Sequence, residues 1–271
     1  MKPAFSGAAA VEEARRRLVA EVGPWTTPVY LGEGIRATDA EDPSQGTRMR
    51  RVLQTVADAS GRPLAGTRIL DLACLEGMFA IELARRGAHV LGIEARAGNV
   101  ARARFAKEAL GLENLEFVQD DVRNLSRAKH GSFPVVLCMG ILYHLPAPDV
   151  FEFAARVAEV TEHVAIFDTH VSLPEAKRPL LGPPTTYTHR GVVYEGRDYQ
   201  EFDPASSEED RLKWGWSTVD ARASFWPTRD ALLELLRSAG FTSLHETLSP
   251  AWLGMPEDRI TLVAFRGAIE L

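Results

Sequence analysis

A chain of 271 residues with 45% hydrophobic and 25% charged side chains has the make-up of a globular protein with one sizeable core. Its net charge of −6 leaves no overall basic footprint for nucleic acid, and no apolar run approaches the roughly 20 residues of a membrane span. The two cysteines, Cys74 and Cys138, have no CxxC spacing and make neither a zinc centre nor a disulfide framework, and the first residues turn charged at Glu12-Glu13 before a signal-peptide core forms, so a cytoplasmic protein with reduced thiols is expected.

Ala8 to Ala20 predicts a helix with a charged face around Glu12, Arg15 and Arg16, ended by Gly23-Pro24-Trp25. From Trp25 to Asp42 the aromatic residues Trp25 and Tyr30 lie among Gly and Pro, which predicts an ordered arm, since linkers rarely carry such side chains. Asp42 then caps a helix with Pro43 at its first position, running to about Ala59. Strict alternation follows. Strands are predicted at Thr67–Asp71, Ala88–Ile93, Leu115–Gln119, Phe133–Met139 and His163–Asp168. The helices between them are Gly77–Arg86, Ala97–Leu110, a short one near Val122–Lys129, and Pro148–Glu159. Apolar runs such as Val135-Val136-Leu137 indicate strands covered on both faces, hence a parallel sheet. Right-handed crossovers make it a doubly wound α/β sheet with ligands at the strands' C-terminal ends.

The segment from Val171 to Pro227 breaks the alternation. It holds Pro174, Pro179, Pro183 and Pro184, a possible hairpin around Gly196, an acidic run at Glu208-Glu209-Asp210, and Trp214, Trp216, Phe225 and Trp226. Structureless loops of that length are usually functional, and it reads as a cap inserted after the fifth strand. Thr228 to Ala239 is a helix capped by Thr228 and stopped by Gly240. Two strands follow, Ser243–Leu248 and Ile260–Phe265, with only a loop between them, so they must pair antiparallel.

Ile69-Leu70-Asp71-Leu72-Ala73-Cys74-Leu75-Glu76-Gly77, followed by Val90-Leu91-Gly92-Ile93-Glu94, reads as strand, tight acidic turn, helix and a second strand ending in a carboxylate. That layout makes a nucleoside pocket, with Glu94 placed to take two ribose hydroxyls. A nicotinamide dinucleotide needs Gly-x-Gly-x-x-Gly so that its pyrophosphate can rest on the helix N-terminus. Here Ala73 and Leu75 stand in place of the first two glycines, and Glu76 would repel a phosphate. An acidic turn suits a ligand with positive charge and no phosphate. S-adenosylmethionine, with an ammonium, a sulfonium and a ribose, fits.

These residues resemble the class I S-adenosylmethionine-dependent methyltransferases, whose first motif is typically Asp/Glu-x-Gly-x-Gly-x-Gly. The chain keeps Asp71 and Gly77 and replaces the middle glycines with Ala73 and Leu75. Leu75 is the larger departure, expected to narrow the space beside the methionine moiety or to shift the loop outward. The run from Asp71 to Gly77, with Gly92-Ile93-Glu94-Ala95-Arg96, is similar to a bacterial subgroup in which the Leu-Glu-Gly form accompanies binding. The resemblance covers about Thr67 to Phe265. It implies the family's Rossmann-like fold, a mostly parallel seven-stranded sheet with an antiparallel last strand. The chain is thus expected to divide into a helical arm or lid over residues 1–60 and a methyltransferase domain over 61–271, with the cap at about 171–227. In that frame Asp71 faces the cofactor ammonium, and Ala73, Leu75 and Gly77 form the loop. Glu94 and Ala95 meet the ribose, Asp121 and Val122 the adenine, and Met139 and Gly140 the methionine end. Tyr30 lies over the cofactor as a lid.

Methyl transfer needs an acceptor in line with an already activated methyl group and a base for its proton, for which histidine is the usual choice. Of the 7 histidines, His170 and His144 are placed by topology at the strands' C-terminal edge, and His170 is the first choice as base. His189 in the cap could close over the site, and Tyr187, Trp226 and Trp252 are candidates for an aromatic acceptor pocket. Asp168 and Asp203 could serve a metal, but no clustered spacing supports one, so none is assigned. The leading expectation is methylation of an oxygen or nitrogen on a small, aromatic or specialised metabolite. The competing readings are an RNA-modifying transferase, a non-catalytic binding module for the cofactor, and a nicotinamide oxidoreductase. Aromatic residues in the arm and insert allow a homodimer that shares its lids.

Overall fold

The computed structural model describes residues 5–38, 43–175, 178–203, 205–207, 209, 218, 220–248 and 256–267. The expected cap Asp42 and the aromatic residues Trp214, Trp216 and Trp252 lie outside these, as do Glu208 and Asp210. The chain divides into two compact units, Met1–Val122 and Arg123–Leu271.

The first unit opens with α1 (Ala8–Val22), a small hairpin of β1 (Tyr30–Gly32) and β2 (Ile35–Arg36), and α2 (Pro43–Ala59). The predicted ordered arm is this hairpin, whose Val29 and Leu31 are buried. β3 (Arg68–Leu72), β4 (His89–Glu94) and β5 (Leu115–Gln119) then pair in parallel. α3 (Met78–Ala84) follows β3, and α4 (Ala97–Leu110) follows β4. α3 is apolar on nearly every side, with Met78, Phe79, Ala80, Ile81, Leu83 and Ala84 all buried. An all-round apolar helix is what a core position demands.

The second unit holds a single turn of helix, α5 (Arg127–His130), then β6 (Phe133–Met139), α6 (Asp149–Val160) and β7 (Thr161–His170). β6 and β7 are parallel. Val135, Val136, Leu137 and Cys138 are fully buried, as the continuous apolar run requires. After a second three-stranded sheet come α7 (Arg229–Ala239), β11 (Ser243–Thr247) and β12 (Arg259–Phe265). The Thr228 hydroxyl accepts from the Ala231 N–H at 3.2 Å and Gly240 takes a left-handed conformation, so the expected start and stop of α7 are both present. β12 runs antiparallel to β11 and to β7. The large sheet has seven strands in the order β11-β12-β7-β6-β3-β4-β5, a mostly parallel sheet in which the last strand, β12, runs antiparallel to both its neighbours.

The insert is not a loose loop. β8 (Leu181–His189), β9 (Val192–Gln200) and β10 (Ala223–Pro227) form an antiparallel sheet in the order β10-β9-β8. The expected hairpin around Gly196 is corrected: the chain turns at Arg190-Gly191, where φ is 50° and 82°, and Gly196 sits inside β9. It is glycine because a Cβ there would lie 2.3 Å from the Trp226 carbonyl oxygen and 2.5 Å from the Phe225 ring. The sheet is tied to its surroundings by backbone bonds. Phe225 N–H donates to Leu145 O at 2.9 Å, and Ser172 N–H to Pro227 O at 2.9 Å.

Candidate functional site

In the first unit the turn after β3 keeps a glycine-like backbone without the glycines. Ala73 has φ 51°, Leu75 φ 50° and Gly77 φ 81°. A left-handed conformation costs a residue with a Cβ roughly 1–2 kcal/mol, so two of them in one turn must be held by their surroundings. The holding bonds are on both sides of Leu75. Cys74 N–H donates to Ile93 O at 3.0 Å, Leu75 N–H to Glu94 Oε2 at 3.1 Å, and Gly77 N–H to Cys74 O at 2.8 Å. Gly77 has a further reason to be glycine, since a Cβ would meet the Phe117 ring at 2.5 Å.

Glu94, at the end of β4, is buried and fixed by three donors. These are Leu75 N–H, Arg96 N–H at 2.8 Å and Asn99 Nδ2 at 3.3 Å. Burial pushes its pKa up, with the Arg96 N–H and the Asn99 amide acting the other way. Asp71, at 1% exposure, has an Oδ2 atom with no hydrogen-bond partner. Burial raises its pKa to about 7, against the pull of the Ala80 backbone N–H and the Arg48 guanidinium. An ionised carboxylate in that position calls for a cation.

Glu76 is different. It is wholly buried and points into the arm, where its carboxylate accepts from Thr26 N–H at 2.8 Å, Thr27 N–H at 2.7 Å and the Thr27 hydroxyl at 2.6 Å. Arg102 of α4 completes an ion pair at 2.9 Å. Its charge is therefore met inside the protein, which corrects the expectation that Glu76 makes the turn acidic toward a ligand.

In the second unit two histidines flank Tyr143. Its ring centroid lies 4.2 Å from that of His144 and 4.7 Å from that of His170. Each histidine is held by a carboxylate. His144 Nδ1 is 3.0 Å from both oxygens of the buried Glu201, which also accepts from the Ser224 hydroxyl at 2.7 Å. His170 Nδ1 is 2.9 Å from Asp258 Oδ1, and Arg178 closes on the same carboxylate. A carboxylate on Nδ1 fixes the tautomer with its proton there and leaves Nε2 as the acceptor. His170 also stacks on Trp226, with centroids 4.8 Å apart and an interplanar angle of 12°. Burial, aided by the positive charge of Arg259, lowers its pKa to about 4. Asp168 is taken by Arg259 and by the Thr261 hydroxyl at 3.0 Å.

A family model described as "Methyltransferase domain" matches residues 69–163, a span that contains both the strained turn and Glu94. The amino-terminal domain of EvdMO1, crystallised in the presence of SAH and D-fucose, is similar over 94% of this chain and 97% of that one, with 28% identity and a TM-score of 0.67. The match over residues 69–163 and this likeness support a class I S-adenosylmethionine-dependent methyltransferase. Magnesium protoporphyrin IX methyltransferase from Synechocystis PCC 6803, with bound SAH, shares the fold of this chain at 18% identity and a TM-score of 0.53. Among curated relatives, a ubiquinone biosynthesis O-methyltransferase of Acinetobacter baumannii (strain AYE) is 38% identical over 85 residues. One from Hahella chejuensis is 37% identical over 97 residues. These matches cover 31% and 35% of this chain and only 36% and 40% of the relatives, so the chain spans well under half the length of the curated relatives it matches.

The predicted site residues fall into separate places. Asp71, Ala73, Leu75, Gly77 and Glu94 are brought together at the turn, with Ala95 directly after β4, its carbonyl accepting from Gln119 at 3.2 Å. Leu75 does not shift the loop outward, because Glu94 holds its N–H. Asp121 and the buried Val122 follow β5, where Asp121 N–H donates to the Asp120 carboxylate at 2.9 Å. Tyr30 is corrected: its ring packs 5.0 Å from the Arg85 guanidinium and its hydroxyl accepts from Gly34 N–H at 3.3 Å. Arg85 caps the end of α3, about 12 Å along the helix from Gly77, so the arm reaches the turn through Thr26 and Thr27 instead.

Met139 ends β6, and Gly140, with φ 104°, has only the ordinary contacts of Tyr143 and Arg259 beside it. The trio Tyr187, His189 and Trp226 is split, because alternate residues of a strand face opposite sides. Trp226, Ser224, Tyr199 and Glu201 share the face that meets Tyr143, His144 and His170. Tyr187 and His189 lie on the other, with His189 stacked on Phe151 of α6 at 5.2 Å and Tyr187 against Phe225 at 4.9 Å. His189 is thus a packing residue away from His170. Asp203 spends its carboxylate on the Ala205 N–H at 2.8 Å, and no group of three or more metal-binding side chains occurs among the described residues. The residues missed by sequence reading are Glu201, Asp258 and Arg178. Glu201 is 57 positions from His144 and Asp258 is 88 from His170, so no local pattern joins them.

Proposed function

We propose that this chain is a methyltransferase that binds S-adenosylmethionine and methylates a hydroxyl of a small-molecule acceptor. The observation that carries the reading is the turn from Asp71 to Gly77, which keeps left-handed φ values at Ala73 and Leu75 and ties them to Glu94. The buried, unpartnered oxygen of Asp71 suits the cofactor's ammonium, and Glu94 suits its ribose. When bound, the cofactor supplies a methyl group already activated on a sulfonium. Asp121 and Val122 are the choice for the adenine, and Met139 and Gly140 for the methionine end.

The chain's own task is then to orient the acceptor, exclude water and take one proton. His144 is better suited to that proton than His170. Glu201 fixes its tautomer and leaves Nε2 to accept, whereas the low pKa of His170 makes it a poor base near neutrality. His170 instead orders the wall built from Tyr143 and Trp226. The arm serves as a lid and the segment 171–227 as a cap on the acceptor side. Oxygen as the methylated atom is favoured by the O-methyltransferase relatives, and a hydroxylated acceptor by the D-fucose present with EvdMO1. No described helix is long and apolar enough to cross a membrane.

Calorimetry with S-adenosylmethionine and SAH tests the cofactor on wild type and Glu94→Ala. Micromolar binding, lost in the variant, is expected. A screen of hydroxylated acceptors then tests His144→Asn, for which a fall in kcat of about 10²–10⁴ is expected. Turnover that survives this substitution would remove His144 from the reaction.

A further inference from the structure

We propose that Glu76 is a positioning residue for the cofactor turn: it latches the turn to the amino-terminal arm and so lets Ala73 and Leu75 keep a backbone that ordinarily asks for glycine. The inference rests on the cofactor reading above and adds to it the means by which the turn stays competent. Three observations converge. Ala73 and Leu75 hold φ 51° and 50° despite their Cβ atoms. Glu76, the next residue, is completely buried yet fully engaged, by two backbone N–H groups and the hydroxyl of Thr26-Thr27 and by Arg102. Arg102 is itself anchored to the end of α1, donating to Val22 O at 2.7 Å, and to Asn99 Oδ1 at 2.6 Å.

The chain of contacts closes on the site. Asn99 donates to Glu94 Oε1 at 3.3 Å, and Glu94 accepts the Leu75 N–H through its other oxygen. The turn is therefore held from two sides. Glu94 grips it from the strand side and must also meet the ligand. Glu76 grips it from the arm side and has no partner outside the protein fold. A buried carboxylate with four charge-assisted contacts has one arrangement available, so Leu75 beside it is fixed as well. If the latch is loosened, the turn relaxes toward ordinary φ values, the competent fraction falls, and apparent affinity falls in proportion.

The test uses the full chain and SAH as probe, with affinity by calorimetry and hydrogen exchange of the Leu75 and Gly77 amides without ligand. Glu76→Gln is expected to weaken SAH binding about tenfold and speed exchange at both amides. Adding Leu75→Gly to Glu76→Gln is expected to recover most of the lost affinity, because glycine needs no latch. Thr27→Val, which removes only one contact, is expected to give about threefold weaker binding with the fold intact, and serves where Glu76→Gln does not fold. A purely structural Glu76 would lower the melting temperature and leave affinity within twofold. That outcome overturns the proposal, as does a double variant no tighter than Glu76→Gln. Absence of SAH binding by wild type would instead overturn the cofactor reading itself.

Discussion

Asp71 and His170 carry opposite pH signatures. Asp71 has a folded pKa of about 7, above its unfolded value, so its contribution is full below pH 4 and is lost as pH rises toward 7. About three units correspond to an upper bound of roughly 4 kcal/mol. His170 has a folded pKa of about 4, below its unfolded value, so its contribution is full above pH 6.5 and is lost as pH falls toward 4. Denaturant titrations across pH 4–8 are therefore expected to show Asp71→Asn gaining stability over wild type at pH 8, and His170→Asn losing less than wild type on acidification. A parallel shift of both variants at all pH values would remove the two groups as the source. At this scale the sequence was readable where a role depends on strand ends. Asp71 and Glu94 stand where alternation put them. It was silent where a role depends on a distant partner, as for Glu201 on His144, and misleading where a charge is answered inside the protein, as for Glu76.

Among elements, the parallel strands and their helices follow from apolar periodicity, because burial on both faces leaves a continuous hydrophobic run. The insert did not follow. Its first strand, β8, has only exposed and half-buried residues and carries Pro183 and Pro184, so composition resembled a loop while the backbone paired as β8, β9 and β10. Gly196 explains the misplaced turn: glycine signals a bend in sequence, and here it marks close approach of two strands. Gly196→Ala should push β10 off β9 and cost on the order of 1–3 kcal/mol, read by chemical denaturation. A change below about 0.5 kcal/mol would mean that the two strands separate at little cost.

For the whole molecule, the net charge of −6 and the seven-stranded sheet were both legible, the latter because a short loop between the last two strands forces an antiparallel pair. A nucleic-acid acceptor would leave a steep salt dependence, about 10³–10⁵ in affinity between 50 and 200 mM. Acceptor KM is expected to change less than about threefold over that range, and a steep loss would revive an RNA acceptor. The division of the small sheet between its two faces has a wider consequence. Tyr194 and Asp198 of β9 look toward Phe151 and Tyr187, while Tyr199, with Glu201 just beyond the strand, looks toward Trp226 and His144. A lineage that recruits new acceptors can thus rewrite every second codon of this strand and leave the intervening ones under purifying selection for folding, so two traits encoded in ten residues are free to evolve apart.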